Sequence, residues 1–304
     1  MKASKRLLAM ILAVVVGAMV AGCGGGSSPE NRELNLGVAT GWDENQVVAN
    51  VTKILLEEEL GYGEVRLTEL ELGPVFEGVG SGDLDAFQDM WLPNHQAQLS
   101  EVENDVVQLS PWYQGQTEFG IGVPTYMTNV NTIPDLNNTD LTQILGIEPG
   151  AVISERIPDS VIPTYDLNQE YVESSTAGML SEIERLFNEE EEFAFTPWRP
   201  HWMNQKYSEN GERMFKFLED PEDALQDLND AATISSIVNE DLPDEDPVAY
   251  AFMENLKLTE EQVNEIENID PQDYAGATRT WLEDENNRNS LQPAIDAARD
   301  AQES

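Results

Sequence analysis

The order of elements near the start of the chain restricts its fold more than any other feature. Residues 33–39 alternate apolar and polar side chains as a short strand does, and residues 45–60 repeat apolar side chains at helical spacing. A second strand pattern covers 64–70, after a glycine at 61 that suits the end of a helix. Because strand, helix and strand in this order form the repeating unit of α/β proteins, we predict an α/β fold.

The loop at 40–44, between this strand and this helix, is a candidate binding position. In an α/β unit such a loop lies at the carboxyl end of the strand, where the free amides of the helix N-terminus suit an anion. Gly41 and Trp42 lie in this loop. We therefore predict that it forms one wall of a site.

Helical and strand patterns continue along the rest of the chain. Helices are predicted at 73–82, 135–145, 174–187, 248–256, 259–266 and 274–285, and strands at 84–91, 118–123 and 233–238. The strand at 118–123 suits a passage from a first lobe to a second, and the strand at 233–238 suits the return.

The segment 195–207, Phe-Thr-Pro-Trp-Arg-Pro-His-Trp-Met-Asn-Gln-Lys-Tyr, concentrates aromatic side chains in an otherwise acidic chain. Pro197 and Pro200 suit a rigid loop better than a helix. Converging indole rings can receive a cation that donates no hydrogen bonds, and quaternary ammonium is such a cation. Taken alone, the segment favours equally the alternative that Trp198 and Trp202 fill a core.

The only two histidines of the chain, His95 and His201, each lie within four residues of a tryptophan. In the segment 91–95, Trp-Leu-Pro-Asn-His, a tryptophan is again followed by a proline and then a histidine. For His95 we favour the interpretation of a capping or core histidine beneath the next helix.

The first 22 residues have the pattern of an export signal, with basic residues followed by an apolar run too short for a comfortable membrane span. Cys23 is the only cysteine and directly follows Val-Ala-Gly, which resembles a bacterial lipoprotein box. We predict a signal peptide at 1–22, lipidation of Cys23, and a flexible tether at 23–32 that anchors the protein to the outer face of the cell membrane.

The chain carries 58 acidic and 16 basic residues, a net charge of −42. Removal of residues 1–22 takes away three basic residues and would leave a net charge of −45. Such a charge excludes nucleic acid and anionic lipid as electrostatic partners. Because apolar residues stay plentiful, we interpret the charge as adaptation to high salt and the acidic run 189–192 as a solvated surface.

Motifs of catalysis are missing from the sequence. It contains no phosphate loop, no cysteine or histidine spacing for a metal, and no Gly-x-Ser-x-Gly elbow. With two histidines and scattered carboxylates, we predict a binding protein without enzymatic activity, metal or cofactor.

Several motifs together resemble the substrate-binding proteins of ABC transporters for glycine betaine, proline betaine and choline, the OpuAC-like family. They are Gly-Asp-Leu-Asp-x-Phe-x-Asp-x-Trp at 82–91, Trp-Leu-Pro-Asn-His at 91–95, Gly-Ile-Glu-Pro-Gly-Ala at 146–151, Trp-Arg-Pro-His-Trp at 198–202 and Leu-Glu-Asp-Pro at 218–221. The resemblance implies a two-lobed periplasmic-binding-protein type II fold, with mixed sheets flanked by helices and a ligand cleft between the lobes. We place lobe I at 34–123 plus 230–304 and lobe II at 124–229.

The resemblance also implies roles for individual residues. Trp91 and Trp198 match positions that hold trimethylammonium in an aromatic cage, and Trp42 matches a position that gives a ring or backbone amides. His201 matches a histidine that donates to a ligand carboxylate, with the amides of Gly41 and Trp42 assisting.

One departure concerns Ala151, where some relatives place a cage tryptophan after the Pro-Gly turn. We expect Trp42 to replace that ring, with Phe119 or Tyr113 as alternatives. Asp43 and Glu44 would favour a ligand hydroxyl and repel a ligand carboxylate, whereas His201 argues for a carboxylate. The choice between glycine betaine and choline therefore stays open.

The function expected from this resemblance is capture of glycine betaine, or a related quaternary ammonium osmolyte, outside the cell. A monomer anchored to the membrane by the lipid on Cys23 would deliver it to an ABC permease with its ATPase. The alternatives are a choline receptor of the same fold and a surface sensor lipoprotein without a transport role. A secreted hydrolase of choline esters is not expected.

Overall fold

The computed structural model of the chain describes residues 32–206, 208–209, 212–229 and 232–303. The predicted signal peptide, Cys23 and all of the predicted tether except its last residue lie outside these ranges. None of the helices within these ranges is both long enough and apolar enough to cross a membrane.

The strands are short outside one central sheet. They are β1 Glu33–Ala39, β2 Glu64–Leu70, β3 Ala86–Leu92, β4 Val106–Gln108, β5 Tyr113–Gln114, β6 Glu118–Phe119, β7 Gly122–Pro124, β8 Gln143–Leu145, β9 Glu170–Val172, β10 Trp198–Arg199, β11 Ser208–Glu209, β12 Glu212–Arg213, β13 Phe215–Phe217, β14 Thr233–Asn239 and β15 Leu258–Thr259.

The helices lie between and after these strands. They are α1 Asp43–Glu59, α2 Leu72–Ser81, α3 Gln96–Val102, α4 Val152–Arg156, α5 Ile162–Tyr165, α6 Thr176–Glu189, α7 Met203–Lys206, α8 Gln226–Asn229, α9 Leu242–Glu245, α10 Pro247–Asn255, α11 Glu260–Ile269, α12 Tyr274–Trp281, α13 Glu285–Ser290 and α14 Gln292–Glu303.

The central sheet has the strand order β2-β1-β3-β14-β4. The first three strands run parallel, and β14 pairs antiparallel with both β3 and β4. Every residue of β3 except Leu92 is buried, as expected for a strand covered on both faces. Helices α1 and α2 pack against this sheet, and the chain returns to it through β14 from a distant part of the sequence.

A second group of short strands lies between β4 and β14 in the sequence. Strand β6 pairs antiparallel with β10, β7 pairs antiparallel with β13, and β8 pairs parallel with β9. Isolated bridges from Phe195 to Gly122 and to Leu145 join these pairs. The chain thus contributes two separate sets of paired strands, and the lobe boundaries at 123 and 230 stay predictions.

The predicted elements agree with the structure where a stretch has strong periodicity. The predicted strands at 33–39 and 64–70 occur with those bounds, and the predicted helices at 45–60 and 174–187 occur as α1 and α6. Helix α6 begins after Ser175, whose hydroxyl accepts from the N–H of Gly178.

Three predicted elements differ from the structure. The predicted helix at 135–145 is a short 3-10 helix, Ile133–Asn138, followed by β8, because a Pro start and an Asn-Asn-Thr run favour a capped turn over a longer helix. The predicted strand at 118–123 is divided into β6 and β7, which pair with different partners. The predicted helix at 274–285 stops at Trp281, and Asp284 caps a new helix.

Candidate ligand-binding site

Four aromatic rings line one cavity of about 380 Å³ of empty space, including the solvent at its mouth. Trp42 precedes α1, Trp91 lies in β3, Phe119 in β6 and Trp198 in β10. Phe119 and Trp198 face each other as partners in the β6–β10 pair, and the rings of Trp91 and Phe119 lie 5.0 Å apart. A lining of aromatic and aliphatic side chains with a few polar groups is typical of a small-molecule site.

The rest of the cavity wall is divided between apolar and polar side chains. Ile147, Ala151, Val152 and Ile153 contribute the apolar part. Glu44, Asn94 and His95 contribute the polar part.

His95 is held as a neutral ring in this wall. Its Nδ1 accepts the backbone N–H of Trp91 at 3.1 Å, and its ring stacks on Trp42 with 5.5 Å between centroids. Burial lowers the pKa of His95 to about 3, so the imidazole is neutral at physiological pH. Because Nδ1 is the acceptor, the proton sits on Nε2, and the ring can donate one hydrogen bond.

Glu44 places a buried carboxyl group beside the rings. Its side chain lies in the first turn of α1, and within the described ranges Oε2 has no hydrogen-bond partner. Burial raises the pKa of Glu44 well above its usual range, and the nearby carboxyls of Asp89, Glu267 and Asp43 raise it further. The group can therefore accept a hydrogen bond when ionised or donate one when protonated.

Asp89 holds the indole ring of Trp91 in place. Its Oδ1 accepts the indole N–H of Trp91 at 2.9 Å, and burial raises the pKa of Asp89 to about 8. In the same layer Glu267 is fully buried, and burial followed by the charge of Asp43 raises the pKa of Glu267. The raised pKa values of Glu44, Asp89 and Glu267 therefore favour the protonated form of all three buried carboxyl groups.

The ring of Trp42 is fixed by a carboxylate from another part of the chain. Its indole N–H donates to Oε1 of Glu148 at 2.6 Å. The other oxygen, Oε2, accepts from both the backbone N–H and the hydroxyl of Thr176, each at 2.9 Å. Glu148 therefore ties Trp42 to the start of α6.

His201 lies behind the cavity wall and is not among the residues that line it. The ring of His201 is fully buried and lies 4.6 Å from that of Trp198, and its Nδ1 accepts the N–H of Met203 at 3.1 Å. Its Nε2 lies 3.5 Å from Oδ2 of Asp43, which also accepts the indole N–H of Trp202 at 2.5 Å. This arrangement joins His201 to Asp43 at the start of α1.

The environment of Asp43 favours its ionised form. Burial acts to raise the pKa of Asp43, but the neighbouring imidazole of His201, the nearby hydroxyl of Tyr274 and the hydrogen bond from Trp202 lower it overall. Asp43 thus acts as an acceptor within the protein, outside the cavity lining.

The structure brings together only some of the residues predicted from the sequence. Trp42, Trp91, Trp198 and Phe119 meet at one cavity, whereas Gly41, Asp43, Tyr113 and His201 do not line it. Gly41 adopts φ +83° in the tight turn before α1, and the N–H of Trp42 is bonded to the carbonyl of Ala39 at 3.2 Å. Tyr113 packs instead against Trp112.

Sequence reasoning missed His95 as a lining residue and did not commit to Glu44. The signal for His95 is its place four residues after Trp91, and the predicted capping or core histidine agrees with its buried position at the N-cap of α3. Asn94, which also lines the cavity, gave no signal, because asparagine after proline is common in turns. No group of three His, Cys, Asp or Glu side chains in the described ranges could hold a metal ion.

Comparisons with known proteins agree on one family. The family described as "Substrate binding domain of ABC-type glycine betaine transport system" matches residues 32–284. The glycine betaine/carnitine transport binding protein GbuC of Listeria monocytogenes is 29% identical over 146 residues, which are 46% of this chain and 45% of that protein. The match thus spans less than half the length of this relative.

Two solved structures are similar over most of this chain. The lactococcal OpuAC structure in its closed conformation with glycine betaine is 27% identical, covers 88% of this chain and 99% of its own, and has a TM-score of 0.75. A choline-binding protein in complex with choline is 23% identical, covers 88% and 97%, and has a TM-score of 0.71.

These similarities confirm the predicted α/β fold with two lobes and mixed sheets flanked by helices. They also confirm the prediction that the chain is a binding protein and not an enzyme. The cavity with its four aromatic rings lies within the matched region. The chain belongs to the family of substrate-binding domains of ABC-type glycine betaine transport systems.

Proposed function

We propose that this protein captures glycine betaine, or a closely related quaternary ammonium osmolyte, and delivers it to an ABC permease. The observation that carries the proposal is the convergence of Trp42, Trp91, Phe119 and Trp198 on one cavity. A trimethylammonium group cannot be hydrogen-bonded, so aromatic faces must recognise it, at about 0.5–2 kcal/mol per contact. Four such rings, with donors for the other end, make an affinity on the order of micromolar reasonable, about −8 kcal/mol.

The polar end of the cavity supports a ligand carboxylate. His95 offers a neutral N–H donor there, and we assign it the role of carboxylate donor. Val152 and Ile153 also line the cavity at the first turn of α4, where backbone N–H groups have no partner within the helix. A direct role for His201 stays a prediction, since its ring packs behind Trp198.

Choline is the second candidate ligand, and Glu44 is the observation that favours it. An ionised carboxylate beside the cage would attract a cation with no carboxylate of its own and accept from its hydroxyl. The same carboxylate would repel glycine betaine unless it were protonated. The similar structure with bound glycine betaine supports the first candidate, and the similar structure with bound choline supports the second.

The setting of this activity is also a proposal. We place the protein outside the cytoplasm, anchored to the outer face of the membrane by a lipid on Cys23, as a monomer adapted to high salt. Closure of lobes 34–123 plus 230–304 and 124–229 around the ligand would present the loaded form to the permease. A surface sensor without a transport role is the alternative, and a permease and an ATPase encoded beside this chain would count against it.

The test is a titration of tryptophan fluorescence in molar salt, with glycine betaine and choline in parallel. The protein should lack residues 1–32, so that the predicted signal peptide and tether do not interfere. A saturable change at micromolar glycine betaine is the expected result. A response to choline alone would favour the second candidate, and no response to either would mean that the four rings only pack the interior.

A further inference from the structure

Two arginines lie together in a second pocket, although basic residues are scarce in this chain. Arg199 and Arg213 line it with Glu118, Thr117, Asn229 and Ala232. The whole sequence has 16 basic residues against 58 acidic ones. The two guanidinium groups carry like charges and repel each other. An anion that lies near both would offset this repulsion.

Of the two guanidinium groups, only that of Arg199 has an ion pair within the described residues. Arg199 donates toward Glu118, with Nε 3.3 Å from Oε2. Arg213 has no carboxylate within ion-pair distance in the described ranges, and its polar contact there is Oδ1 of Asn204, at 3.4 Å from Nη1. Its guanidinium otherwise lies over the rings of Phe215 and Phe217, at 5.6 and 5.2 Å from their centroids.

The charged surroundings of Arg213 agree with this geometry. Burial, and then the charge of Arg199, lower the pKa of Arg213, while the carboxylates of Glu118 and Glu260 act against them. A guanidinium keeps its proton in proteins, so Arg213 stays a cation, and its N–H donors can receive an anion. Planar guanidinium groups bind oxyanions through two parallel N–H donors, which gives them a preference for carboxylate, sulfate or phosphate.

The geometry points to a binding site for one small oxyanion between Arg199 and Arg213. The site is separate from the aromatic cavity, with which it shares no lining residue. It does not depend on which ligand fills that cavity.

The two sites nevertheless share the β6–β10 pair. Phe119 and Trp198 are register partners and line the aromatic cavity, while their neighbours Glu118 and Arg199 are register partners and line the arginine pocket. Successive side chains of a strand point to opposite faces, which accounts for this division. An oxyanion bound to the arginines would thus brace the same two strands that present two rings of the cage.

Equilibrium dialysis with radiolabelled sulfate tests the site directly. The protein is the chain without residues 1–32, at constant ionic strength set with sodium chloride. We expect saturable binding of one sulfate per chain, and at least a tenfold weaker binding in Arg213→Gln. The matched control is Arg66→Gln, which removes an exposed arginine paired with Glu33 and should keep the binding of the unchanged protein.

A competition measurement identifies the class of anion that the site prefers, and a second variant keeps the test valid if the first does not fold. Acetate and phosphate compete with labelled sulfate, and the stronger competitor shows whether the site prefers a carboxylate or an inorganic oxyanion. Arg199→Lys keeps the charge but loses the planar fork, and should weaken sulfate binding even if Arg213→Gln does not fold. Absence of saturable sulfate binding, or equal binding by the arginine variants and the control, would overturn the inference.

Discussion

The indole N–H of Trp42 donates to Oε1 of Glu148 at 2.6 Å, joining residues 106 positions apart. Glu148 is itself fixed, because its second oxygen accepts two hydrogen bonds from Thr176. The position of one cage ring therefore depends on a carboxylate and on the start of α6, both far from Trp42 in the sequence. This dependence can be tested without touching any ring.

Replacing Glu148 with Ala should lower the affinity for the quaternary ammonium ligand about tenfold. The change removes a charge-assisted hydrogen bond worth roughly 1.5–3 kcal/mol. Only part of this energy holds the ring in position, so the loss of binding free energy should be smaller than the whole. The measurement is a fluorescence titration of the folded variant. Glu155→Ala, an exposed neighbour, should bind as the unchanged protein does. Equal affinities in both variants would mean that Trp42 keeps its position without Glu148.

Replacing Trp198 with Leu should weaken binding by about tenfold, because one cation–π contact of roughly 1–2 kcal/mol is lost while an apolar side chain remains. The matched control is Trp281→Leu, in α12, whose indole N–H bonds to Glu265 away from the cavity. Both variants lose a buried indole, so both should be less stable to urea. Only the first should lose affinity, and a similar loss in both would argue against Trp198 as a cage ring.

Much of the fold could be predicted because α1, α6 and β14 carry periodic patterns that their own residues set. The strand β8, which lies within the helix predicted at 135–145, could not be predicted. It pairs with β9, a contact between distant residues that local periodicity does not encode. The same reason limits predictions of the site. The three tryptophans were accessible through motifs, but the place of His95 in the cavity follows from its stacking on Trp42.

The two histidines should respond differently to substitution. His95→Ala should lower the affinity for glycine betaine by about 10- to 100-fold, as expected for a lost hydrogen bond to a charged group, and should affect choline much less. His201→Ala should weaken both ligands alike, by only a few-fold, because the ring supports Trp198 from behind.

Parallel titrations of glycine betaine and choline with both histidine variants check this prediction. If His201→Ala lost affinity for glycine betaine but not for choline, His201 would be the carboxylate donor. Loss of both ligands in His95→Ala would instead show that His95 mainly supports the ring of Trp42.

The buried carboxyl of Asp89 should make stability depend on pH. Burial raises its pKa from 3.8 in the reference state to about 8 in the folded protein. Between these values the folded protein holds a proton that the unfolded chain releases, so this contribution to the free energy of unfolding falls as pH rises. Asp89→Asn removes this contribution, while those of Glu44 and Glu267 remain, and it keeps an acceptor for the indole N–H of Trp91.

Thermal unfolding at pH 5 and pH 8 measures the effect of this substitution. The gain in Tm of Asp89→Asn over the unchanged protein should increase with pH and reach about 5 °C at pH 8. The exposed control Asp105→Asn should change Tm little, and equally at both pH values. A gain for Asp89→Asn that is larger at pH 5 would contradict the raised pKa.

The preference between glycine betaine and choline should depend on the protonation of Glu44. A bound cation without a carboxylate favours the ionised form, so choline binding should release a proton and strengthen as pH rises. Glycine betaine brings its own carboxylate and favours the protonated form, so its binding should weaken over the same range. Burial, and then the charges of Asp89, Glu267 and Asp43, raise the pKa of Glu44 and so extend this range toward neutral pH.

Glu44→Gln cannot ionise and should remove the opposite pH trends of the two ligands. At pH 8 we expect choline affinity to fall about tenfold, a loss of about 1.4 kcal/mol, while glycine betaine affinity holds or rises. The exposed Glu77→Gln makes the same change of net charge and should leave both affinities unaltered, which separates a local effect from the field of the whole protein. Parallel titrations from pH 5 to pH 8 decide the point, and pH trends that persist in Glu44→Gln would place the titrating group elsewhere.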